Sequence, residues 1–196
     1  MGCHTWFGNK ISCITQEDIG KIRESTIDRI KHSYIYNCTA NKWLADIKED
    51  LNELKKSEED MDSDTYQFQL DFYSKMNSKA YFEKHKKQYV EDLEKLMDEN
   101  TPKKELFKIF ERHYMGFENK NDFYCLDECG WCDNYRVSGY PQGTFHSAEE
   151  AIKFLEEYDN GNNIFIYGHK NGMCDEIREI INNFFKKYPN GSIYYA

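Results

Sequence analysis

Residues 146–196, HSAEEAIKFLEEYDNGNNIFIYGHKNGMCDEIREIINNFFKKYPNGSIYYA, decide the fold class because helix and strand patterns alternate along them. The first helix pattern opens with Ser147 and Glu150, whose spacing is that of a capping box. An apolar run ending at Gly168 follows and predicts a buried strand. The next helix pattern begins with acid and ends with lysines, as the helix dipole favours. A turn at Pro189–Gly191 then leads into a last strand, SIYYA.

Two further stretches extend this order into a sheet. DNYRVSG, residues 133–139, predicts a strand before the first helix, so the C-terminal part has the order β-α-β-α-β, which gives right-handed crossovers between parallel strands. The opening HTWFGNKI, residues 4–11, partly alternates and predicts another strand that could join the same sheet in antiparallel orientation. The predicted fold class is α/β (or α+β). A small mixed sheet is built from the C-terminal β-α-β-α-β unit plus the N-terminal strand, with a large helical insertion.

The insertion covers residues 15–115, where apolar residues recur at helical spacing. Thr15 with Asp18 predicts the start of its first helix, and Thr101 followed by Pro102 predicts the start of its last. Between them we expect one amphipathic helix near residues 41–56 and one long helix from about 64 to 98. The whole chain, 1–196, is predicted as a single domain. Its predicted parts are an N-terminal strand at 1–14, the insertion at 15–115 and the α/β core at 120–196.

Composition excludes several classes of protein. The chain is 39% hydrophobic and 16% aromatic, which is typical of a globular protein, and its net charge of −9 disfavours binding to double-stranded nucleic acid. No apolar run approaches the roughly 20 residues that cross a bilayer, and the N-terminus lacks the pattern of a secretory signal. We therefore expect no membrane association and a place in the cytoplasm. The sequence does not indicate an oligomeric state.

A cluster of cysteines is the strongest chemical signal. Cys125, Cys129 and Cys132 have the spacing C-x3-C-x2-C, and the C-x2-C pair is typical of a zinc knuckle. The predicted cofactor is zinc, with Cys3 or His4 from the N-terminal strand as the remote ligand, since adjacent strand residues point to opposite faces. His146 and His169 are alternative remote ligands. Free thiols, or a disulfide or redox pair, are the alternative interpretations of the cluster. The same spacing occurs in radical enzymes that use S-adenosylmethionine, but those carry it at the start of a large barrel.

The predicted parallel sheet also suggests a place for a ligand, beyond the carboxyl ends of its strands. Two glycine-containing loops would form that edge, and the second combines a lysine with the N-terminus of a helix, which is a natural anion site. The candidate ligand-binding residues are Arg136, Ser138, Gly139, Tyr140, Gly168, His169 and Lys170. The alternative is that these loops are ordinary β–α turns and that Arg136 pairs with Asp133. No glycine-rich nucleotide-binding motif is present.

The opening MGCHTWF, the segment CDNYRVSGYP and the final KKYPNGSIYY together resemble uncharacterised proteins encoded by phages and prophages of low-GC bacteria. In those proteins a histidine often precedes the aspartate of the second segment, whereas this chain has Cys132 there. Both are zinc donors, so the departure is compatible with a metal site. The resemblance implies a phage setting and no particular activity.

These patterns favour a cytosolic binding protein of phage type with a structural zinc site. Its partner would be a host protein or a small anionic signal such as a nucleotide. One alternative is a metal-dependent hydrolase, in which Asp133 or His169 acts as the base. Another is an interaction module without metal. Four protein ligands on the zinc would favour the structural role, and three with a water the catalytic one. The sequence favours binding over catalysis but does not exclude an enzyme.

Overall fold

The computed structural model describes residues 5–58, 61–126, 142–162 and 175–195. The described parts contain helices and a five-stranded sheet, which confirms a mixed α/β fold with a helical insertion. None of the described helices is long and apolar enough to cross a membrane. The predicted strands at 133–139 and before Gly168 lie outside these residues.

The described elements follow the predicted order, with extra short strands. The strands are β1 (Thr5–Asn9), β2 (Phe117–Glu118), β3 (Phe123–Tyr124), β4 (Gly143–Phe145) and β5 (Gly191–Tyr195). The helices are α1 (Gln16–His32), α2 (Tyr34–Asn37), α3 (Ala40–Lys56), α4 (Ser63–Met76), α5 (Lys79–Met97), α6 (Lys103–His113), α7 (Ala148–Asn162) and α8 (Asp175–Lys187). Short 3₁₀ turns lie at Ile11–Cys13 and Asn119–Asn121.

The chain divides into two compact units, Met1–Arg23 with Phe107–Ala196 and Glu24–Leu106. The first contains the sheet, whose strand order is β2-β3-β1-β5-β4. The strand pairs in the described residues are all antiparallel. The N-terminal strand β1 therefore joins the C-terminal strand β5 as predicted, with five residue pairs from Thr5–Tyr195 to Asn9–Gly191.

Alternation along the strands gives the sheet two different faces. Phe7, Ile193 and Tyr195 point to the first face, where they pack against α7 and α8 in a core whose helical members are Ala151, Leu155, Ile177, Ile181 and Phe184. Their neighbours in sequence point to the second face. There Trp6, Phe123 and Cys125 form a separate buried cluster, with the half-buried Tyr194 against it.

Helix ends in this unit follow the predicted chemistry. Thr15 and Asp18 cap α1 reciprocally, each backbone N–H donating to the other's side chain at 3.1 Å. The cap of α7 is only half of the predicted box. Ser147 Oγ accepts from the Glu150 N–H at 3.2 Å, but the Glu150 carboxylate accepts from the N–H of His146. The predicted turn before β5 is present, with the Gly191 N–H donating to Tyr188 O at 2.8 Å.

The second unit, Glu24–Leu106, has its own core of Cys38, Trp43, Ile47 and Phe82. One prediction here is wrong: the long helix expected from about 64 to 98 is two helices, α4 and α5. Ser78 breaks it by acting as N-cap of α5, where its hydroxyl accepts from the Tyr81 N–H.

Side-chain donors also bind backbone carbonyls in the last turns of α4 and α5. Trp43 Nε1 donates to the carbonyl of Met76 at the end of α4, at 3.0 Å. Thr101, the predicted cap of the last helix, donates its hydroxyl to Lys95 O at 2.7 Å.

Candidate functional site

One end of the sheet in the first unit brings together a histidine and a buried serine. Ser192 lies on β5 and is 0% exposed, and His146 directly follows β4. The pairing of Phe145 with Ile193 continues so that His146 Nδ1 lies 2.6 Å from Ser192 Oγ. This contact fixes the orientation of the imidazole ring and leaves Nε2 as the nitrogen that faces away from the serine.

Charged residues at the same end of the sheet act on this histidine. Asp122 adopts the left-handed conformation, at φ 50°, which aspartate tolerates better than most residues. Its carboxylate accepts from the backbone N–H of Ser12 at 3.0 Å and from the Ser12 hydroxyl at 3.3 Å. Lys10 follows β1 and brings a positive charge to the same place.

The pKa of His146 is lowered from its usual value, and burial is the main cause because it disfavours the charged imidazolium. The positive charge of Lys10 lowers the pKa further, while Asp122 and Glu150 act in the opposite direction. Burial and the lysine dominate, so the imidazole is held in its neutral form more strongly than a free histidine. A neutral imidazole can accept a proton or bind a metal ion.

An open cleft of about 480 Å³ runs along the outer side of β4 and the start of α7. It is lined by Thr144, Phe145, His146, Glu150, Lys153, Phe154 and Glu157. Phe145 and Phe154 form its apolar part, with ring centroids 4.6 Å apart. Thr144 Oγ1 is buried and has no hydrogen-bond partner within the described residues. The cleft thus combines an aromatic wall with charges of both signs.

This arrangement does not form a serine nucleophile. Ser192 is fully buried, so a substrate cannot reach its hydroxyl. A serine protease instead places an exposed hydroxyl against Nε2 and a carboxylate against Nδ1. Ser192 therefore positions the His146 imidazole and is not itself accessible to a substrate.

Of the five preferred metal ligands, Cys125 lies within the described residues, as does His146, an alternative remote ligand. It directly follows β3, is 3% exposed and belongs to the second-face cluster with Trp6 and Phe123. Its Sγ lies 3.0 Å from Phe7 O, to which the thiol donates. The backbone N–H of Cys125 also donates to Gly116 O at 2.7 Å. The thiol therefore has a structural hydrogen bond across β1 and β3, and its role as a ligand stays a prediction.

The other predicted site residues lie outside the described residues. For the metal these are Cys3, His4, Cys129 and Cys132. For the ligand they are Arg136, Ser138, Gly139, Tyr140, Gly168, His169 and Lys170. Across 5–58, 61–126, 142–162 and 175–195, no group of three or more His, Cys, Asp or Glu side chains is arranged to hold a metal ion.

Two of the described strands, β1 and β3, lie next to the metal motif in sequence. β1 and β3 are antiparallel, with Asn9 opposite Tyr124. The start of β1 and the end of β3 therefore lie at the same end of the sheet. His146 lies at the other end, opposite Ser192, which pairs with Gly8. Thr5 is three residues from Gly8, or about 10 Å along the strand.

From the sequence, His146 is predicted only as an alternative zinc ligand, and its neighbours are not predicted. Ser192 and Asp122 carry no local signal of a site, because each is ordinary for its strand or turn. Ser192 and Asp122 lie close to His146 only because β4, β5 and β1, which are distant in sequence, pair in the sheet. The run of Asn and Asp residues before β3 was the available sign of an unusual turn at Asp122.

Comparison of the chain with protein-family models, with curated proteins and with solved structures finds no match.

Proposed function

We propose that this chain is a phage-type cytosolic binding protein whose sheet is stabilised by a structural zinc ion. The observation that carries the proposal is the antiparallel pairing of β1 and β3, reinforced by the bond from the Cys125 thiol to Phe7 O. It brings Thr5, at the start of β1, and Leu126, just after β3, to one end of the sheet. Cys3 and His4 precede the first, and Cys129 and Cys132 follow the second.

Zinc in that position would tie the ends of two neighbouring strands together. Thiolate and imidazole donors in a closed tetrahedral set are typical of structural zinc, which adds to folding free energy because the unfolded chain lacks the site. We propose Cys129 and Cys132 as the primary pair, with Cys3 or His4 as the remote donor. Cys125 joins the set only if its thiol gives up the bond to Phe7 O.

The experiment is elemental analysis of purified protein under reducing conditions. We expect about one zinc per chain in the wild type, most of it lost in Cys132→Ser and in a Cys3→Ser/His4→Ala double variant. Cys125→Ser is the informative control, because serine keeps a donor for Phe7 O but is a poor zinc ligand. Full zinc in Cys125→Ser assigns that cysteine a structural role. Wild-type protein that is metal-free and equally stable with or without chelator overturns the proposal.

The partner of the binding protein is proposed to be a host protein or a small anionic signal. An anion would bind at Arg136, Ser138–Tyr140 and Gly168–Lys170, where the sequence places a lysine before a helix. Thermal shifts with nucleotides and cyclic nucleotides test this idea, since a ligand at 100 times its dissociation constant adds about 2.7 kcal/mol. Lys170→Ala should weaken such binding roughly 10- to 100-fold, as loss of a charge-assisted hydrogen bond implies. A shift that survives Lys170→Ala unchanged excludes this loop as the site.

A metal-dependent hydrolase, with Asp133 or His169 as the base, is the second candidate. The neutral His146 imidazole beside an open cleft has the properties of a general base, but it lies at the opposite end of the sheet from the proposed zinc ligands and is not the base of that reaction. Cobalt(II) substituted for zinc distinguishes the two roles by its visible spectrum. A closed tetrahedral site favours the structural proposal, whereas a site that responds to added anions has an open position and favours the hydrolase.

A further inference from the structure

The second unit exposes two phenylalanines on one helix. Phe68 is 73% exposed and Phe72 is 49% exposed, and they lie one turn apart on α4, so their side chains are neighbours on its surface. None of the residues of α4 is fully buried. The apolar side chains of α4 therefore lie partly against neighbouring helices and partly on the outer surface of the unit. Single exposed apolar residues are normal, but an adjacent pair of aromatic rings on one helix face marks an interaction surface.

A groove between α3 and α4 adjoins this pair. It has a volume of about 190 Å³ and is lined by Asp50, Glu53, Leu54, Ser57, Gln69 and Tyr73. Tyr73 connects the groove to the exposed pair, because its ring packs edge-on against Phe72 with centroids 5.6 Å apart. We call the groove together with Phe68 and Phe72 the α3–α4 surface.

The charge of the α3–α4 surface is acidic. The described residues that line the groove include two carboxylates, Asp50 and Glu53, and no basic side chain. The exposed part of α4 adds Asp64 and Asp71 against one basic residue, Lys75. Apolar rings beside carboxylates complement a partner that presents apolar side chains flanked by lysine or arginine.

We propose that the α3–α4 surface binds a basic amphipathic helix of another protein. Apolar anchors of such a helix, at i, i+3, i+4 and i+7, would pack on Phe68, Phe72 and Tyr73, while its basic residues meet Asp50 and Glu53 of the mostly polar groove. A second copy of this chain is disfavoured, because the same acidic surface would face itself. A membrane is disfavoured because anionic lipid repels a chain of net charge −9. The inference rests on the proposed binding role and is independent of the zinc ion.

The test uses the full-length chain and a fluorescent synthetic helix with leucine at i, i+3, i+4 and i+7 along one face and lysine elsewhere. A matched peptide with glutamate in place of every lysine is the control for charge. We expect Phe68→Ala and Phe72→Ala each to weaken binding of the lysine peptide about 10-fold or more, as for aromatic hot spots. Met97→Ala, which removes another side chain of this unit that is 65% exposed, should leave binding unchanged. Asp50→Asn with Glu53→Gln should weaken binding and reduce its dependence on salt.

Several outcomes overturn the proposal. Equal affinity for the lysine and glutamate peptides removes the role of charge, and unchanged binding in Phe68→Ala/Phe72→Ala removes the surface. Sedimentation that shows a dimer abolished by Phe72→Ala makes the occupant a second copy, and binding to anionic vesicles through the same residues makes it a membrane. Repeating the titration on chelator-treated protein separates the two proposals, since peptide binding that persists without zinc supports this surface whatever the fate of the metal site.

Discussion

Gly8 is the residue on which the closest approach within the sheet depends. A Cβ added at this position would lie 2.1 Å from Tyr124 O and 2.8 Å from the ring of Phe123. The β3 backbone cannot move away from the added Cβ without losing its pairing with β1. Gly8→Ala should therefore destabilise the protein by about 1–3 kcal/mol. Urea unfolding followed by circular dichroism measures the change.

Gly20 supplies the matched control. It lies inside α1, and no atom lies within 4 Å of a Cβ added there. Gly20→Ala should therefore stabilise the protein by about 0.5–1 kcal/mol through helix propensity. If both substitutions change stability equally, the close contact between β1 and β3 is not the cause.

His146 predicts a pH dependence of stability. Its pKa is lowered in the folded protein by burial and by Lys10, so the unfolded chain binds the proton more tightly. The stabilisation is fully present above the unfolded pKa of about 6.5 and is lost as the pH falls through the lower folded value. The free energy of unfolding should therefore rise with pH across this window in the wild type. It should rise less in His146→Gln, which keeps a partner for Ser192.

Asp18 gives an internal check on that experiment. Burial opposes ionisation of its carboxyl group, but hydrogen bonds from Tyr124 and Thr15 outweigh it and lower its pKa. Its contribution to stability is present above its unfolded pKa of about 3.9 and is lost only as the pH falls below that value. A loss of stability between about pH 5 and pH 7 that is identical in His146→Gln and the wild type would contradict the assignment to His146.

The cysteines show what a spacing pattern omits. Three thiols within one short segment predict a metal, but the pattern says nothing about the direction of each side chain. For Cys125 that direction depends on the neighbouring strand, which is 118 residues away along the chain, where Phe7 O accepts from the thiol. Local sequence could not supply this contact, and it is the reason that Cys125→Ser is informative.

At the scale of elements, a side-chain hydrogen bond from α3 reaches the end of α4. Trp43 is buried between aromatic neighbours, and its Nε1 donates to Met76 O, which also accepts from the Ser78 N–H at 2.7 Å. Trp43→Phe removes this donor and leaves part of the indole's volume unfilled, so it should cost about 1–3 kcal/mol. Thermal or urea unfolding measures it. Tyr34→Phe, which removes an exposed hydroxyl bonded to Asp46, should cost under about 1 kcal/mol. A cost for Trp43→Phe no larger than this control would show that the indole bond is unimportant.

Helices with long apolar periodicity were predictable from the sequence, and short strands were not. The patterns of α1, α3, α7 and α8 extend over several turns, and the structure confirms these helices. The break between α4 and α5 escaped prediction because Asn77 and Ser78 interrupt a pattern that otherwise continues with the same period. β2 and β3 have two residues each, too few to show alternation, and exist only because they pair with each other and with β1.

At the scale of the whole molecule, the two compact units have separate cores. One core contains Phe7, Leu155 and Ile193 from the sheet and its helices, and the other contains Trp43, Ile47 and Phe82 from the helical unit. Units with separate cores can open locally with different free energies. A metal ion that stabilises one unit should therefore protect that unit more than the other.

Zinc removal tests this idea by hydrogen exchange. The proposed ligands flank β1 and β3, so removing zinc with a chelator should destabilise the sheet by the metal's contribution to the folding free energy. Amide exchange in the sheet should become faster, and the largest change is expected in the strongly paired β1 and β5. Amides of α3 and α5 in the helical unit should exchange at nearly the wild-type rate. Cys132→Ser should reproduce the effect without chelator, and adding chelator to this variant should change nothing further. Faster exchange spread evenly over both units would show that zinc acts on the fold as a whole. Unchanged exchange in β1 and β5 would remove the structural role of the metal, whatever the zinc content.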